Sequence, residues 1–116
     1  MMKWIELKEL GQLDEVAAHS VEKPVLIFKH STTCSLSRAA LDRLERRWNG
    51  EEVSEAPTYF LNIQANRGIS NAIAQRFGIR HESPQAIVIR NASAVYDESH
   101  LGINYEEIKK YLAPAQ

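Results

Sequence analysis

Apolar and polar residues follow two periods along the chain, and the switches between them outline its elements. Val25-Leu26-Ile27-Phe28 is an unbroken apolar run, rich in strand formers and too short for a helix. It predicts a central strand buried on both faces, with Lys29 and His30 ending it at the surface. Ahead of it, Trp4 to Leu7 predicts a short edge strand. Leu13, Val16 and Ala17 mark one face of a helix running to about Ser20, which Lys23-Pro24 breaks. Beyond the run, Ala40, Leu41, Leu44 and Trp48 form an apolar helical stripe while Arg38, Asp42, Glu45 and Arg46 face away. Thr33 is the expected N-cap of that helix, and Asn49-Gly50 its stop.

Thr58 to Ile63 predicts a second buried strand, so the helix between the two strands makes a parallel βαβ unit. Ile69, Ile73 and Phe77 then share a helix face that ends at Gly78. Ala86 to Ile89 and Ala94 to Glu98, joined by a turn around Arg90 to Ser93, predict an antiparallel hairpin. Asn104, with Glu107 three residues later, predicts a capped last helix whose Ile108, Tyr111 and Leu112 face inward. Trp4 and Trp48 both read as core residues.

Composition narrows the classes of function. The 116 residues, 44% hydrophobic, suit one domain (1-116) with no repeat and no linker. Fifteen acidic against fourteen basic residues leave a net charge of -1, which argues against a general electrostatic mode of nucleic-acid binding. No stretch is apolar enough to cross a membrane. The opening Met-Met-Lys-Trp-Ile-Glu lacks the features of a signal peptide, so the cytoplasm is the expected location. A single cysteine excludes an intramolecular disulfide and a cysteine-rich metal site. His19, His30, His81 and His100 fall at no metal-ligand spacing, so neither a metal nor a tightly bound cofactor is expected.

The one thiol, Cys34, stands where the central strand becomes a helix. A helix start presents unpaired N–H groups and the positive end of the helix dipole, and both favour a thiolate over a thiol. The plainer reading is a small buried apolar residue. Ser37, one turn on, shares the helix face of Cys34 and could donate a hydrogen bond to a thiolate, or be an ordinary solvated serine. Either way Ser37 forms no disulfide, so a mixed disulfide on Cys34 must be resolved by a thiol from outside the chain. Lys29 and His30 are candidate modulators of the thiol pKa, or ligands for a substrate carboxylate, against the default of charged strand ends. Arg80 and His81 are candidate contacts for an anionic small thiol against the default of a solvated pair.

Two local patterns and the order of elements together resemble the thioredoxin fold along the whole chain. One is Cys34-Ser35-Leu36-Ser37, a C-x-x-S where thioredoxins have C-x-x-C. The other is Phe77-Gly78-Ile79-Arg80-His81-Glu82-Ser83-Pro84-Gln85, which resembles the segment ending in the thioredoxin cis-proline. Within that superfamily the sequence is most similar to the YtxJ-like monothiol bacilliredoxins, with Ser35 standing where that family usually has proline.

The resemblance implies an α/β thioredoxin-like fold. Its central mixed sheet would have about four to five strands, a parallel β-α-β followed by an antiparallel hairpin, flanked by helices on both faces. It also implies a cis Ser83-Pro84 peptide, with Cys34 and Ser37 as catalytic residues and Thr33, Ser35, Ser83 and Pro84 as substrate-binding residues. The expected activity is a monothiol thiol-disulfide oxidoreductase acting on S-thiolated client proteins, with a bacillithiol-like low-molecular-weight thiol as co-substrate and the chain a monomer or weak dimer. Two other classes remain open. One is an iron-sulfur carrier like the C-x-x-S glutaredoxins, which would need a dimer and external thiols. The other is a thioredoxin-fold adaptor with an idle thiol.

Overall fold

The computed structural model describes residues 2–113. Its centre is β2 (Val25–His30), the predicted apolar run extended by two residues, with every position buried. Around it lie β1 (Trp4–Glu6), β3 (Thr58–Asn62), β4 (Gln85–Arg90) and β5 (Ser93–Ser99), in the sheet order β1-β3-β2-β4-β5. β3 runs parallel to both β1 and β2, whereas β4 is antiparallel to β2 and to β5, so the sheet is mixed as expected.

The two-residue repeat of β2 divides the core into two layers. Leu26 and Phe28 join Ala40 and Leu44 of α2 (Ser35–Arg47) and Ile108 and Leu112 of α4 (Tyr105–Leu112) on one face. Val25 and Ile27 join Leu13 and Val16 of α1 (Gln12–Glu22) and Ile69 and Ile73 of α3 (Arg67–Phe77) on the other. Each fully buried side chain of this size contributes about 1.5–3 kcal/mol, so the strand that supplies both layers fixes the positions of its neighbours. Trp4 packs edge-on against Phe60 and donates its indole N–H to Glu45 Oε2 at 2.8 Å, tying β1 to α2.

Several local expectations change in detail. α2 ends at Arg47 with an extended Trp48, and Asn49 instead caps a short 3-10 turn, Gly50–Val53, by accepting the Glu51 N–H at 3.1 Å. The hairpin turn is the residue pair Asn91-Ala92, both at positive φ (52° and 62°), a twist that suits antiparallel strands. α1 holds the turn in place: Ser20 accepts Ala92 N–H through Oγ at 2.8 Å and Asn91 N–H through its carbonyl at 2.9 Å. In α4 the buried face is Tyr105, Ile108 and Leu112, a 3-4 spacing that leaves Tyr111 outside. Tyr111, expected inside, is exposed and stacks on Tyr96 with centroids 4.5 Å apart.

Asn104 caps α4, accepting the Glu107 N–H at 2.9 Å, but the Glu107 carboxylate pairs with Lys110 rather than closing a capping box. Asn104→Ala is therefore expected to lower stability by about 1 kcal/mol while Glu107→Gln changes it little, as chemical denaturation will show; equal losses from both would contradict this division of roles.

Candidate functional site

Strand alternation sends the last two residues of β2 to opposite faces, and both are buried instead of ending at the surface. Lys29 is fully buried and His30 is 7% exposed. The sequence expectation failed here because the ladder continues past the apolar run: Lys29 pairs with Leu61 and Gln85, and His30 with Asn62.

On the α2 face, the His30 ring lies against Phe60, with centroids 5.4 Å apart, and its Nδ1 is 2.8 Å from Ser37 Oγ. Ser37 Oγ also accepts the Ser31 N–H at 3.0 Å, so the hydroxyl proton has His30 Nδ1 as its acceptor. That pairing suits a neutral imidazole protonated on Nε2. Burial, helped by the nearby Arg38 charge and opposed by Glu45, lowers the His30 pKa from its ordinary 6.5 and keeps the ring neutral at neutral pH. Ser37 is thus neither solvated nor hydrogen-bonded to the thiol: it holds the chain between β2 and α2.

Cys34 is half-buried and occupies the N-cap position of α2, with extended backbone and no side-chain cap. Its N–H reaches Ser31 O at 3.4 Å and its carbonyl accepts the Arg38 N–H at 3.1 Å. Together with Thr32, Thr33, Ser35 and Arg38 it lines a cleft of ≈ 220 Å³. Thr33, expected as the N-cap, sits one residue too early, and its hydroxyl is taken up by Gln64 and Ser31.

Gln64 carries no periodic or motif signal, yet its side chain organises the loop. Its Nε2 donates to Ser31 Oγ at 2.7 Å and to Thr33 Oγ1 at 3.1 Å, while its Oε1 accepts the Thr32 N–H at 3.2 Å.

The Ser83-Pro84 peptide is cis, and Pro84 is buried. Because Lys29 and Gln85 are paired, this peptide leaves the ladder at the same end of the sheet as His30-Ser31. The Pro84 carbonyl accepts the His100 N–H at 3.0 Å. Ser83 Oγ and Gln85 Oε1 are buried without a protein partner among the described residues. The structure thus gathers Thr33, Cys34, Ser35, Ser83 and Pro84 at one end of the sheet, and turns Lys29 and His30 away to opposite faces.

On the α3 face, Lys29 Nζ donates to His81 Nδ1 at 2.7 Å. Burial lowers the Lys29 pKa from 10.5 to about 8, with Glu82 opposing. His81 is lowered too, by burial and then by Lys29. Arg80, by contrast, is solvated, its side chain 92% exposed.

A thioredoxin-type sheet with a cysteine at the α2 start and a cis-proline at the same end of the sheet defines the class of thioredoxin-fold oxidoreductases. Solved structures agree. A chain described as a proposed oxidoreductase with a thioredoxin fold is 30% identical over 93% of this chain and 92% of its own, with a TM-score of 0.79. Oxidised thioredoxin from Plasmodium falciparum matches at 12% identity over 96% of this chain and 100% of its own, with a TM-score of 0.72. Spinach chloroplast thioredoxin f in its short form matches at 21% identity over 95% and 90%, with a TM-score of 0.67. These last two speak for the fold alone. The family model for monothiol bacilliredoxin BrxC matches residues 5–108, and the chain belongs to that family, whose function is thiol redox chemistry.

Two measurements test the buried polar pairs. Ser37→Ala leaves Ser31 N–H and His30 without their partner and is expected to cost about 1–3 kcal/mol in chemical unfolding; a loss of a few tenths would contradict the assigned bonds. Lys29→Met removes a buried ammonium and should leave stability equal or higher, by about 1 kcal/mol or more at pH 7. Because the folded pKa of about 8 lies below 10.5, the penalty in the native chain is fully present below pH 8. It fades as pH rises toward 10.5, where unfolded Lys29 still binds a proton that the folded chain has released. The gain from Lys29→Met should therefore shrink between those pH values, and a pH-independent gain would refute the buried charge.

Proposed function

We propose that the protein is a monothiol reductase of mixed disulfides between client proteins and a bacillithiol-like low-molecular-weight thiol, with Cys34 as the nucleophile. One observation carries this reading. The chain's only thiol lines an accessible cleft at a helix start, while position 37, where a resolving cysteine would stand, is a buried serine engaged with His30 and Ser31.

The Cys34 thiolate attacks the small-thiol sulfur of the mixed disulfide. The client's sulfur departs as a thiolate and takes a proton, and a new disulfide joins Cys34 to the small thiol. A second molecule of small thiol, as thiolate, attacks this adduct, leaving as the oxidised small-molecule disulfide and restoring the Cys34 thiolate. The uncapped first turn of α2 supplies N–H groups where the sulfur charge appears on expulsion. Thr33, Ser35, Ser83 and Pro84 frame the approach of the disulfide, the last two with the backbone of a cis peptide. One chain suffices for this cycle, which suits a monomer or weak dimer in the reducing cytoplasm.

Exposure of the reduced protein to an oxidised small thiol should yield one reductant-sensitive adduct on Cys34, seen by mass spectrometry, and Cys34→Ser should abolish both adduct and client reduction. Turnover persisting in Cys34→Ser would refute the assignment.

A further inference from the structure

Next to the Cys34 cleft lies a second cavity, of ≈ 240 Å³, lined by Ile63, Gln64, Arg67, Ser70, Asn71 and His81. Gln64 is the wall between the two: it lines the second cavity and bonds Thr32 and Thr33, which line the first. The second cavity is thus separated from the Cys34 cleft by the Gln64 side chain alone, within reach of a molecule that is attached through sulfur to Cys34 and extends past Gln64.

The lining favours a negative occupant. It contains no carboxylate, and Arg67 forms no ion pair among the described residues. The first turn of α3, where Arg67 sits, carries no acidic residue and no side-chain cap, so its N–H groups add to the positive potential. Behind His81 lies the Lys29 ammonium, fully buried and with no carboxylate in contact. Glu82 acts on both Lys29 and His81 through its charge but makes no ion pair with Lys29; its carboxylate lies 3.5 Å from His100 and 4.0 Å from Arg80. Because Lys29 donates to His81 Nδ1, the neutral ring carries its own proton on Nε2. His81 is therefore an N–H donor backed by a buried cation, an arrangement whose burial cost an anion on the other side of the ring would offset.

We infer that this cavity seats a carboxylate of the low-molecular-weight thiol, with Arg67 and His81 as its donors, Lys29 as the charge behind His81, and Gln64 as the bridge to Cys34. The inference rests on the reading that Cys34 exchanges with such a thiol, and it adds selectivity: carboxylate-bearing thiols are accepted over neutral ones.

S-methyl thioethers occupy such a seat without reacting, so they separate binding from catalysis. Isotope-labelled full-length protein titrated with S-methylglutathione or S-methylbacillithiol should show saturable NMR shifts at Gln64, Ser70 and Asn71, and the uncharged 2-(methylthio)ethanol should show none. Arg67→Ala, which removes one charge-assisted contact, and Lys29→Met, which removes the charge behind His81, should each weaken carboxylate binding about tenfold or more. Arg80→Ala, outside the cavity, should leave it unchanged. No saturable binding, equal binding of the neutral thioether, or no effect of the two cavity substitutions overturns the seat. Turnover of mixed disulfides by the same proteins reads the other claim. Cys34-dependent turnover without carboxylate preference leaves the proposed function standing without this seat, whereas selective thioether binding without turnover leaves the seat and removes the function.

Discussion

Side-chain alternation along β2 is the constraint on which the rest of the molecule depends. A strand buried on both faces must offer apolar groups alternately to two helical layers, and Val25 to Phe28 do so without interruption. The ladder then runs two residues further than the apolar run, so the same alternation forces Lys29 and His30 into opposite layers. Each buried polar group needs a partner. His30 finds Ser37 at the start of α2, and Lys29 finds His81 just ahead of the cis-proline. Two polar pairs, one reaching the start of α2 and one the segment before the cis-proline, are thus held from a single strand, one on each side of the sheet.

The ledger of such pairs is asymmetric. A neutral His–Ser bond adds about 1 kcal/mol net and mainly prevents a larger loss, so it serves to fix geometry. A buried ammonium costs several kcal/mol unless it is compensated, and a neutral imidazole compensates it only in part. The lowered Lys29 pKa is the direct sign of that shortfall. Structural economy alone would place an apolar residue at position 29, continuing the run before it. A charge kept there at a cost to stability is the pattern expected of a group used for binding or chemistry.

The sheet was legible because its signals are local. A four-residue apolar run, a helical stripe through Ala40 and Leu44, and a Ser-Pro step before a hairpin each report on their own neighbourhood. The placement of the candidate site residues was legible for the same reason, since Cys34 and Ser83-Pro84 sit at element boundaries that the pattern marks. What escaped was set by tertiary contact. Lys29 and His30 look like surface strand ends until strands from distant parts of the chain pair beside them. Thr33 looks like a cap until Gln64, 31 residues away, claims its hydroxyl. In α4, Ile108 and Leu112 face inward as expected, but the stripe is completed by Tyr105 at the helix start instead of Tyr111, which sits beside Leu112 on the exposed edge.

Position 37 brings these strands of reasoning together. In a dithiol site the residue one turn beyond the first cysteine must reach its sulfur, which needs a side chain free to turn toward the helix start. Here that side chain is fully buried and held by a backbone N–H and a histidine, so the fold uses the resolving position as a structural joint. In the proposed cycle an adduct on Cys34, having no internal competitor, would persist until an outside thiol arrives, with a lifetime set by access through the cleft. In that cycle selectivity would come from the surroundings of the sulfur rather than from a second cysteine. The proposal thus places the burden on the loop that Gln64 holds and on the polar cavity behind it, the parts of the candidate site with the weakest signature in the sequence.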